Sequence, residues 1–369
     1  MLYDISVIGS GACGNNIVKI ANPSFNTIAI NSTKLDLDFT EGLENHNTLL
    51  IGEEGCGKLR ENGKKLVKNS IQEYSAKLNP LITNSEMVIV TGALGGGTGS
   101  GSIPITADII KSTNNKIVLV IGVLAQNSED IRALKNTIGA CNELQSLSIP
   151  YILIDNDSYS DSIKEMFNSI NESIVEDMRV LRGDYNIQSV YGNMDVKDCK
   201  RLFSTPGLMS INKISGLKDT TFEKESYDSL ILKSIKQSYN VQIEKDKFIK
   251  RIGIILTVTE EMLTKFDRGL TELKKEIGIP LEIFIHINIV DKNEISKCSI
   301  ITILAGMSFP DSRLEDMADI IEAAKPQLTK QTSSNINSLK ESLDWMDDVD
   351  KDEDNTAECD IKDLLNKWN

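Results

Sequence analysis

The glycine-rich stretch at residues 92–101 constrains this chain more than any other segment. It reads Gly-Ala-Leu-Gly-Gly-Gly-Thr-Gly-Ser-Gly and follows the apolar strand pattern at 86–91. Each glycine inside regular structure costs roughly 0.5 to 1 kcal/mol relative to alanine, and a tight turn needs only one or two. A run of unhindered amides ahead of a helix makes a concave nest for phosphate oxygens, with Thr98 and Ser100 as further donors. The stretch therefore predicts a phosphate-binding loop.

A second glycine loop lies at residues 9–14, between a strand pattern and a helix pattern. Its spacing is the GxGxxG of a dinucleotide-binding turn, in which the helix N-terminus faces a phosphate. The dinucleotide version also needs an acidic residue at the end of the second strand for the ribose hydroxyls. Asn31 occupies that position, which speaks against NAD.

A third candidate at residues 52–59 nearly spells the P-loop pattern GxxxxGK[ST]. Leu59 stands where the magnesium-binding hydroxyl belongs, and Glu53 and Glu54 stand where phosphates would lie. We interpret this segment as a loop on the nucleotide side of the protein, not as a P-loop.

The hydrophobic pattern predicts an α/β protein. Short apolar runs bounded by Gly, Asn or Pro alternate with amphipathic segments over residues 2–155, which is typical of buried parallel strands with crossover helices. A long helix is predicted from 161 to 182, and a second α/β unit follows, with strands at 253–259, 281–290 and 299–307 and helices at 221–239, 260–277 and 311–324. The predicted division is a nucleotide-binding domain (1–160), a connecting helix (161–183), a catalytic loop region (184–199), a second α/β domain (200–326) and a polar, then acidic tail (327–369).

Composition excludes several functional classes. The net charge is −14, but residues 341–363 alone hold eleven acidic residues against two lysines. No basic stripe interleaved with aromatics is present, so direct nucleic-acid binding is disfavoured. The N-terminus lacks a leader pattern, and no apolar run approaches the ~20 residues that span a bilayer, so we expect a cytoplasmic protein without direct membrane contact. The six scattered cysteines favour reduced thiols over a zinc site.

The sequence GGGTGSG at 95–101 resembles the signature of the tubulin/FtsZ family, and the order and spacing of motifs match from Ile5 to about Met209, more faintly to Pro310. The resemblance implies a Rossmann-like parallel-sheet GTPase domain, joined by a long central helix to a smaller α/β domain. It implies GTP hydrolysis to GDP and phosphate, stimulated by assembly, with GTP/GDP and Mg²⁺ as ligands. It also implies a longitudinal homopolymer, with the active site completed by the adjacent subunit.

The family's nucleotide contacts carry over residue by residue. The implied phosphate contacts are Gly11, Ala12, Cys13, Gly14, Asn15, Asn16, Gly95, Gly96, Gly97, Thr98, Gly99 and Ser100, with Asn31 and Ser32 near the phosphates and magnesium.

The implied contacts to ribose and base come from three further segments. Glu129 and Arg132 resemble the family's acidic ribose contact and its basic partner; the alternative is an ordinary helix start capped by Ser128. Asn156 resembles a guanine-contacting asparagine; the alternative is a plain turn residue. Phe167 and Asn171 lie four apart on one helix face, where the family stacks an aromatic on the base and reads guanine with an amide. Spacing alone favours core packing for Phe167.

Asn193, Asp195 and Asp198 resemble the family's synergy loop, NxDxxD, at the far end of the long helix. About twenty helical residues span roughly 30 Å, so these side chains cannot reach a nucleotide at the other end of their own helix. The resemblance implies that they act at the nucleotide of the next subunit, where they orient and activate water. The alternative is a solvated loop.

Departures from the cell-division pattern refine the resemblance. Ala12, Cys13 and Asn15 replace glycines, and the sequence INSTK lacks the carboxylate of the usual INTD, so the magnesium ligands stay unknown. The departures favour the plasmid- and phage-encoded group called TubZ, which segregates DNA through a DNA-binding adaptor, here docking on the acidic tail. An FtsZ-like cell-division filament and a non-polymerising nucleotide-binding enzyme are the alternatives.

Overall fold

One ten-stranded sheet runs through the part of the chain that the structure describes. The computed structural model describes residues 3–38, 40, 46–113, 115–158, 163–185, 192–242 and 248–333. The strand order is β3-β2-β1-β4-β5-β6-β7-β10-β8-β9, and only β10 runs antiparallel to its neighbours in these ranges. The strands are β1 (Ile5–Ser10), β2 (Asn26–Asn31), β3 (His46–Leu50), β4 (Met87–Ala93), β5 (Ile117–Leu124), β6 (Pro150–Asp155), β7 (Gly207–Ser215), β8 (Arg251–Val258), β9 (Glu282–Ile289) and β10 (Ser299–Met307).

Helices cover both faces of this sheet, so the predicted α/β fold with a large parallel sheet is confirmed. Within the described ranges, no helix is both long and apolar enough to cross a membrane. The helices are α1 (Gly11–Ala21), α2 (Lys34–Asp38), α3 (Arg60–Asn69), α4 (Ile71–Thr83), α5 (Gly97–Thr113), α6 (Ile131–Ser146), α7 (Ile163–Arg182), α8 (Val196–Phe203), α9 (Tyr227–Lys236), α10 (Glu260–Leu263), α11 (Thr271–Ile277) and α12 (Asp311–Ser333).

The two faces of the sheet contribute to two separate hydrophobic cores. Successive strand residues point to opposite faces, so Val7 packs in the core with α1 and α7 whereas Ile8 packs in the core with α3 to α6. Because both faces are covered, β1 is buried along its whole length. This double burial is why the strands of the first half read as continuous apolar runs.

Helix α7 carries the chain from one edge of the sheet to the other. It begins after the carboxyl end of β6 and leads, through α8, to the amino end of β7. Its buried stripe includes Ile170, Ile174 and Met178, which pack in the same core as α1. The predicted start at 161 lies outside the described residues.

The second half of the chain departs from the predicted elements in five places. Helix α8 was not predicted, and it begins inside the predicted catalytic loop region 184–199. Strand β7 was not predicted, and α9 is shorter than 221–239 because Ser226 caps it, accepting a hydrogen bond from the Ser229 amide at 3.2 Å. The predicted helix 260–277 is wrong as a single element: it breaks into α10 and α11 where Leu270 adopts a φ of 48°. Helix α12 does not end at 324 but continues past Pro326 to Ser333.

A buried carboxyl on α7 should make stability depend on pH. Burial raises the pKa of Asp177 well above its ordinary value, and its Oδ2 has no hydrogen-bond partner. A folded-state pKa above the unfolded one means that stability falls as pH rises past about 4, the unfolded value. We expect Asp177→Asn to gain stability over the wild type progressively between pH 4 and pH 8, measured by urea unfolding.

The matched control is Glu172→Gln, the same carboxyl-to-amide change at an exposed position of α7. A stability difference for Asp177→Asn that is constant across pH would contradict the prediction.

Candidate functional site

The predicted ligand loops all lie at one edge of the sheet. Strands β1, β2, β4, β5 and β6 are parallel in an uninterrupted set, so their carboxyl ends share that edge. In sheets of this type ligands bind outside the carboxyl ends of the strands, where helix N-termini converge. Helices α1 and α5 begin there, each at a glycine of a predicted phosphate loop. The strand directions therefore bring together segments that are far apart in sequence.

The two glycine loops touch, and each contains a position that favours glycine. Gly11 has a φ of +71°, and a Cβ added to it would lie 3.4 Å from the Gly99 amide nitrogen. A Cβ on Gly99 would lie 2.3 Å from the Ala93 carbonyl oxygen, closer than any real contact. Gly96 differs, because a Cβ there meets nothing within 4 Å. The loops are thus tightly packed around Gly11 and Gly99 and open at Gly96.

Thr98 connects three loops at this edge. Its Oγ1 lies 2.8 Å from Ser32 Oγ and donates to Cys56 Sγ at 3.4 Å. The Gly55 amide donates to the Ser32 carbonyl oxygen at 3.1 Å, which joins the third loop to the end of β2. Lys58, the residue of the near P-loop match, forms an ion pair with Asp130. The third loop therefore lies beside the second glycine loop without the lysine arrangement of a P-loop.

Three buried amide side chains at this edge have an unpaired polar atom: Asn15 Oδ1, Asn31 Nδ2 and Asn156 Oδ1. The other end of two of these amides is fixed, because Asn15 Nδ2 donates to the Asp36 carbonyl at 3.4 Å and Asn31 Oδ1 accepts from the Ser32 amide at 2.7 Å. An unpaired buried polar group costs about 1–3 kcal/mol. A polar ligand at this edge would satisfy such groups.

The electrostatics of the first loop suit an anion. Burial raises the pKa of the Cys13 thiol to about 12, so the thiol is neutral at neutral pH and adds no negative charge beside the loop. The N-termini of α1 and α5 add unpaired amides and the positive ends of two helix dipoles. Neutral side chains and converging amides fit a phosphate group.

The described residues contain no cluster of three or more histidine, cysteine, aspartate or glutamate side chains that could hold a metal ion. Magnesium is commonly bound through one or two carboxylates and the phosphates of its nucleotide, with several waters retained. The donor set present thus fits a magnesium ion only as a companion of a bound phosphate chain.

The segment before α6 is capped by a different residue from the one suggested by the sequence. Asp130, not Ser128, is the N-cap, and its Oδ1 accepts from the Ala133 amide at 3.0 Å. A hydrogen bond from Lys58 is the main cause lowering the pKa of the Asp130 carboxyl. Glu129 Oε1 accepts from the Gln126 amide at 2.9 Å, so this side chain folds back on its own turn.

The two predicted base contacts on α7 differ in exposure. Phe167 is 45% exposed, so the alternative of core packing, which the spacing favoured, is wrong for this side chain. Asn171 is buried one turn further along the same face. An exposed ring beside a buried amide at the start of α7 presents an apolar face and a hydrogen-bonding group to the same edge.

Arg313 is a residue of this edge that the sequence reasoning missed. From α12 its guanidinium donates to Asp155 Oδ2 at 2.9 Å, to Asn127 Oδ1 at 2.6 Å, to Asp157 Oδ2 at 2.7 Å and to the Ala125 carbonyl at 3.2 Å. It is 9% exposed. One side chain thus joins the loop after β5 to the turn after β6.

The position of Arg313 offered one signal in the sequence. It lies in the first turn of its helix, where the helix dipole disfavours a cation, so a nearby anionic partner should have been expected. Its network also fixes the backbone on both sides of Asn156, whose side-chain oxygen is unpaired.

The predicted catalytic residues lie at the opposite edge. Asp195 caps α8: its Oδ1 accepts from the Asp198 amide at 2.8 Å, and Asp198 Oδ2 accepts from the Asp195 amide at 3.3 Å. Each carboxylate uses one oxygen in this capping box, so the local structural role of the pair is to cap α8. Asn193 and Asp195 are exposed. The structure does not bring these residues together with the glycine loops of the same chain.

Comparisons with known proteins find a family match in the first half of the chain. Residues 4–164 match the model of the Tubulin/FtsZ family, GTPase domain. The tubulin-like protein CetZ of Pyrococcus abyssi is 27% identical over 242 residues, which is 62% of this chain and 66% of that protein, so the match leaves about a third of the relative unaligned.

Solved structures show that the whole fold is shared. Clostridium botulinum phage c-st TubZ superposes with a TM-score of 0.67 at 21% identity, covering 88% of this chain and 98% of that one. CetZ2 from Haloferax volcanii, solved as a GTPgS-bound protofilament, gives a TM-score of 0.71 at 18% identity, covering 87% and 99%.

The Arg313 network should stabilise the folded protein strongly. Arg313→Leu leaves Asp155 buried without its partner, and an uncompensated buried charge of this kind costs about 3–5 kcal/mol. We expect a loss of that size in urea unfolding.

The control is Arg201→Leu, the same substitution at an exposed arginine that pairs with Glu282, which should cost less than about 1 kcal/mol. Equal losses in the free energy of unfolding for the two variants would show that the buried network stabilises the protein no more than a surface ion pair does.

Proposed function

We propose that this chain, whose residues 4–164 belong to the GTPase domain of the tubulin/FtsZ family, assembles head to tail and hydrolyses GTP at the contact between subunits. The products of hydrolysis are GDP and phosphate. The observation that carries the proposal is the separation of the two halves of the site. The phosphate loops end the strands at one edge, whereas Asp195 and Asp198 lie at the other end of α7, roughly 30 Å away.

Exposed apolar side chains support a contact between opposite edges. Large hydrophobic residues that are at least a third exposed in the described ranges fall into two groups of four. At the carboxyl edge, after β2, at and after the end of β3 and at the start of α7, they are Leu35, Leu50, Leu59 and Phe167. At the opposite edge, at α8 and before β8 and β9, they are Val196, Phe248, Ile279 and Leu281.

A contact between these two groups joins unlike surfaces. A heterologous contact that does not close on itself generates a filament rather than a ring or a dimer. Stacking would also remove both apolar groups from water, which favours association. The CetZ2 relative, solved as a protofilament, is in accord with such an arrangement for this chain.

In the proposed nucleotide complex, the phosphates lie on the amides of residues 11–16 and 95–100, with Ser32 beside them. Glu129 and Arg132 approach the ribose, and Phe167 stacks on the base. Asn156 and Asn171 read guanine, because the wrong base would leave their buried polar atoms unpaired. Magnesium would neutralise the charge of the phosphate oxygens.

Hydrolysis in this proposal requires the next subunit. Its Asn193 orients a water molecule and its Asp195 or Asp198 accepts the water proton as the oxygen attacks the γ-phosphorus. The bond to the bridging oxygen breaks, GDP leaves with that electron pair, and phosphate is released. The capping box leaves each carboxylate with a second oxygen for this role.

For the cellular role we propose DNA segregation through a DNA-binding adaptor that binds the acidic tail. The structural similarity to a phage TubZ supports this role. The sequence similarity to an archaeal CetZ favours a second candidate, an FtsZ-like or CetZ-like filament of the cell itself. The tail at residues 341–369 lies outside the described residues. Loss of adaptor capture on its deletion would support segregation, and undiminished capture would contradict the role of the tail.

A site shared between subunits makes turnover depend on protein concentration. We expect the GTPase rate per molecule to rise steeply above a threshold concentration, at which light scattering and electron microscopy detect filaments with GTP and not with GDP. A rate per molecule that is flat over a hundredfold range of concentration would indicate a site completed within one chain.

The roles of the two edges can be separated by complementation. Asp195→Asn keeps a good helix cap but removes the proton acceptor, so turnover should fall about 100-fold or more while GTP binding is retained. Gly96→Asp introduces a carboxylate where a Cβ meets nothing within 4 Å, so the loop should fold but repel phosphate. Mixing the two inactive proteins should restore hydrolysis, because filament contacts then pair an intact nucleotide edge with an intact acidic edge.

The control for the first variant is Asp267→Asn, the same change in an exposed turn, which should leave turnover unchanged. A mixture no more active than its components would contradict a shared site.

A further inference from the structure

The loop that carries Asn193 is attached to the edge strand β9 at two points. The Ile287 amide donates to the Gly192 carbonyl at 3.1 Å, and the Met194 amide donates to His286 Nδ1 at 3.3 Å. Asn193 lies between these two attachments and Asp195 follows the second. The second attachment is unusual, because a side chain rather than the strand backbone accepts the bond.

His286 is fully buried, and its neighbours fix its tautomer. Asn288 Nδ2 donates to the Tyr185 carbonyl at 2.8 Å and to Thr257 Oγ1 at 3.3 Å, so Asn288 Oδ1 is the atom that faces the ring, 2.9 Å from Nε2. An amide oxygen only accepts, so Nε2 carries the proton. Nδ1 is then a lone-pair acceptor, which is what the Met194 amide needs.

Aromatic packing also holds the ring in place. The Tyr185 ring packs edge-on against the imidazole, with the two ring centroids 5.5 Å apart. The Tyr185 hydroxyl lies 3.6 Å from Cys199 Sγ. Burial raises the pKa of both the phenol and the thiol, so neither supplies a negative charge at neutral pH. These contacts hold the ring in position to accept the hydrogen bond of the Met194 amide.

We propose that His286 is a positioning residue that fixes the backbone of Met194 and thereby the location of Asn193 and Asp195. This inference rests on the proposed catalytic role of those residues. His286 is fully buried, and its hydrogen bond to the Met194 amide connects it to the segment that carries them. A displacement of about 1 Å at a reacting group can cost on the order of 100-fold in rate. One buried acceptor on β9 thus controls how accurately Asn193 and Asp195 of one subunit are placed for hydrolysis at the nucleotide of the next.

Two substitutions separate the acceptor from the rest of the ring. In His286→Asn the side-chain oxygen can occupy the position of Nδ1 and accept from Met194, although the contact to Asn288 is lost. In His286→Gln the amide nitrogen can occupy the position of Nε2 and donate to Asn288, although Met194 loses its acceptor. The two variants are similar in polarity, but His286→Asn keeps the hydrogen bond to Met194 whereas His286→Gln keeps the one to Asn288.

We expect His286→Gln to lower kcat by roughly 10- to 100-fold, with GTP affinity and the threshold for assembly within about twofold of the wild type. His286→Asn should stay within about threefold of the wild-type kcat. Equal losses in the two variants, or a wild-type rate for His286→Gln, would overturn the proposal. The control is Ile255→Val, which trims the buried neighbour of His286 on β8 and should leave kcat unchanged.

Hydrogen exchange of the Met194 amide tests the same idea without hydrolysis or assembly. In the wild type this amide should exchange slowly, remain slow in His286→Asn and become fast in His286→Gln. A wild-type amide that exchanges as fast as an unstructured loop contradicts the inference even if the variants fold poorly. An inactive wild type with a protected Met194 amide would instead contradict the proposed function and leave the attachment intact.

Discussion

The common direction of the strands is the constraint on which the rest of this molecule depends. Because nine of the ten described strands run the same way, the loops that follow β1, β2, β4, β5 and β6 gather at one edge, and the segments that precede β7, β8 and β9 gather at the other. Helix α7 is the connection that changes edges. The acidic loop and the glycine loops are therefore kept apart in one chain by topology.

Much of this arrangement could be predicted from sequence where the cause is local. Strands buried on both faces read as apolar runs, and the glycine loops were recognisable because close backbone contacts such as that of Gly99 exclude side chains. Strand β7 was missed because Ser210 and Asn212 are buried polar residues that pair with each other at 3.0 Å, which breaks the apolar run.

The side chains that hold the two edges in place could not be predicted, because their partners are distant in sequence. Arg313 bonds Asp155 across 158 positions, and His286 accepts from Met194 across 92. Neither residue belongs to a motif, and each is buried, so its role depends on what the fold places around it. Phe167 shows the opposite case, in which a helical stripe suggested burial but the side chain is exposed.

The reciprocal hydrogen bonds between Asp195 and Asp198 have a consequence for the proposed encounter between subunits. The acidic turn is folded before any partner arrives, so docking need not order it and loses little conformational entropy there. In the proposed filament, an incoming subunit would meet a surface that is already ordered, so the rate of growth would be governed by diffusion and orientation rather than by local refolding.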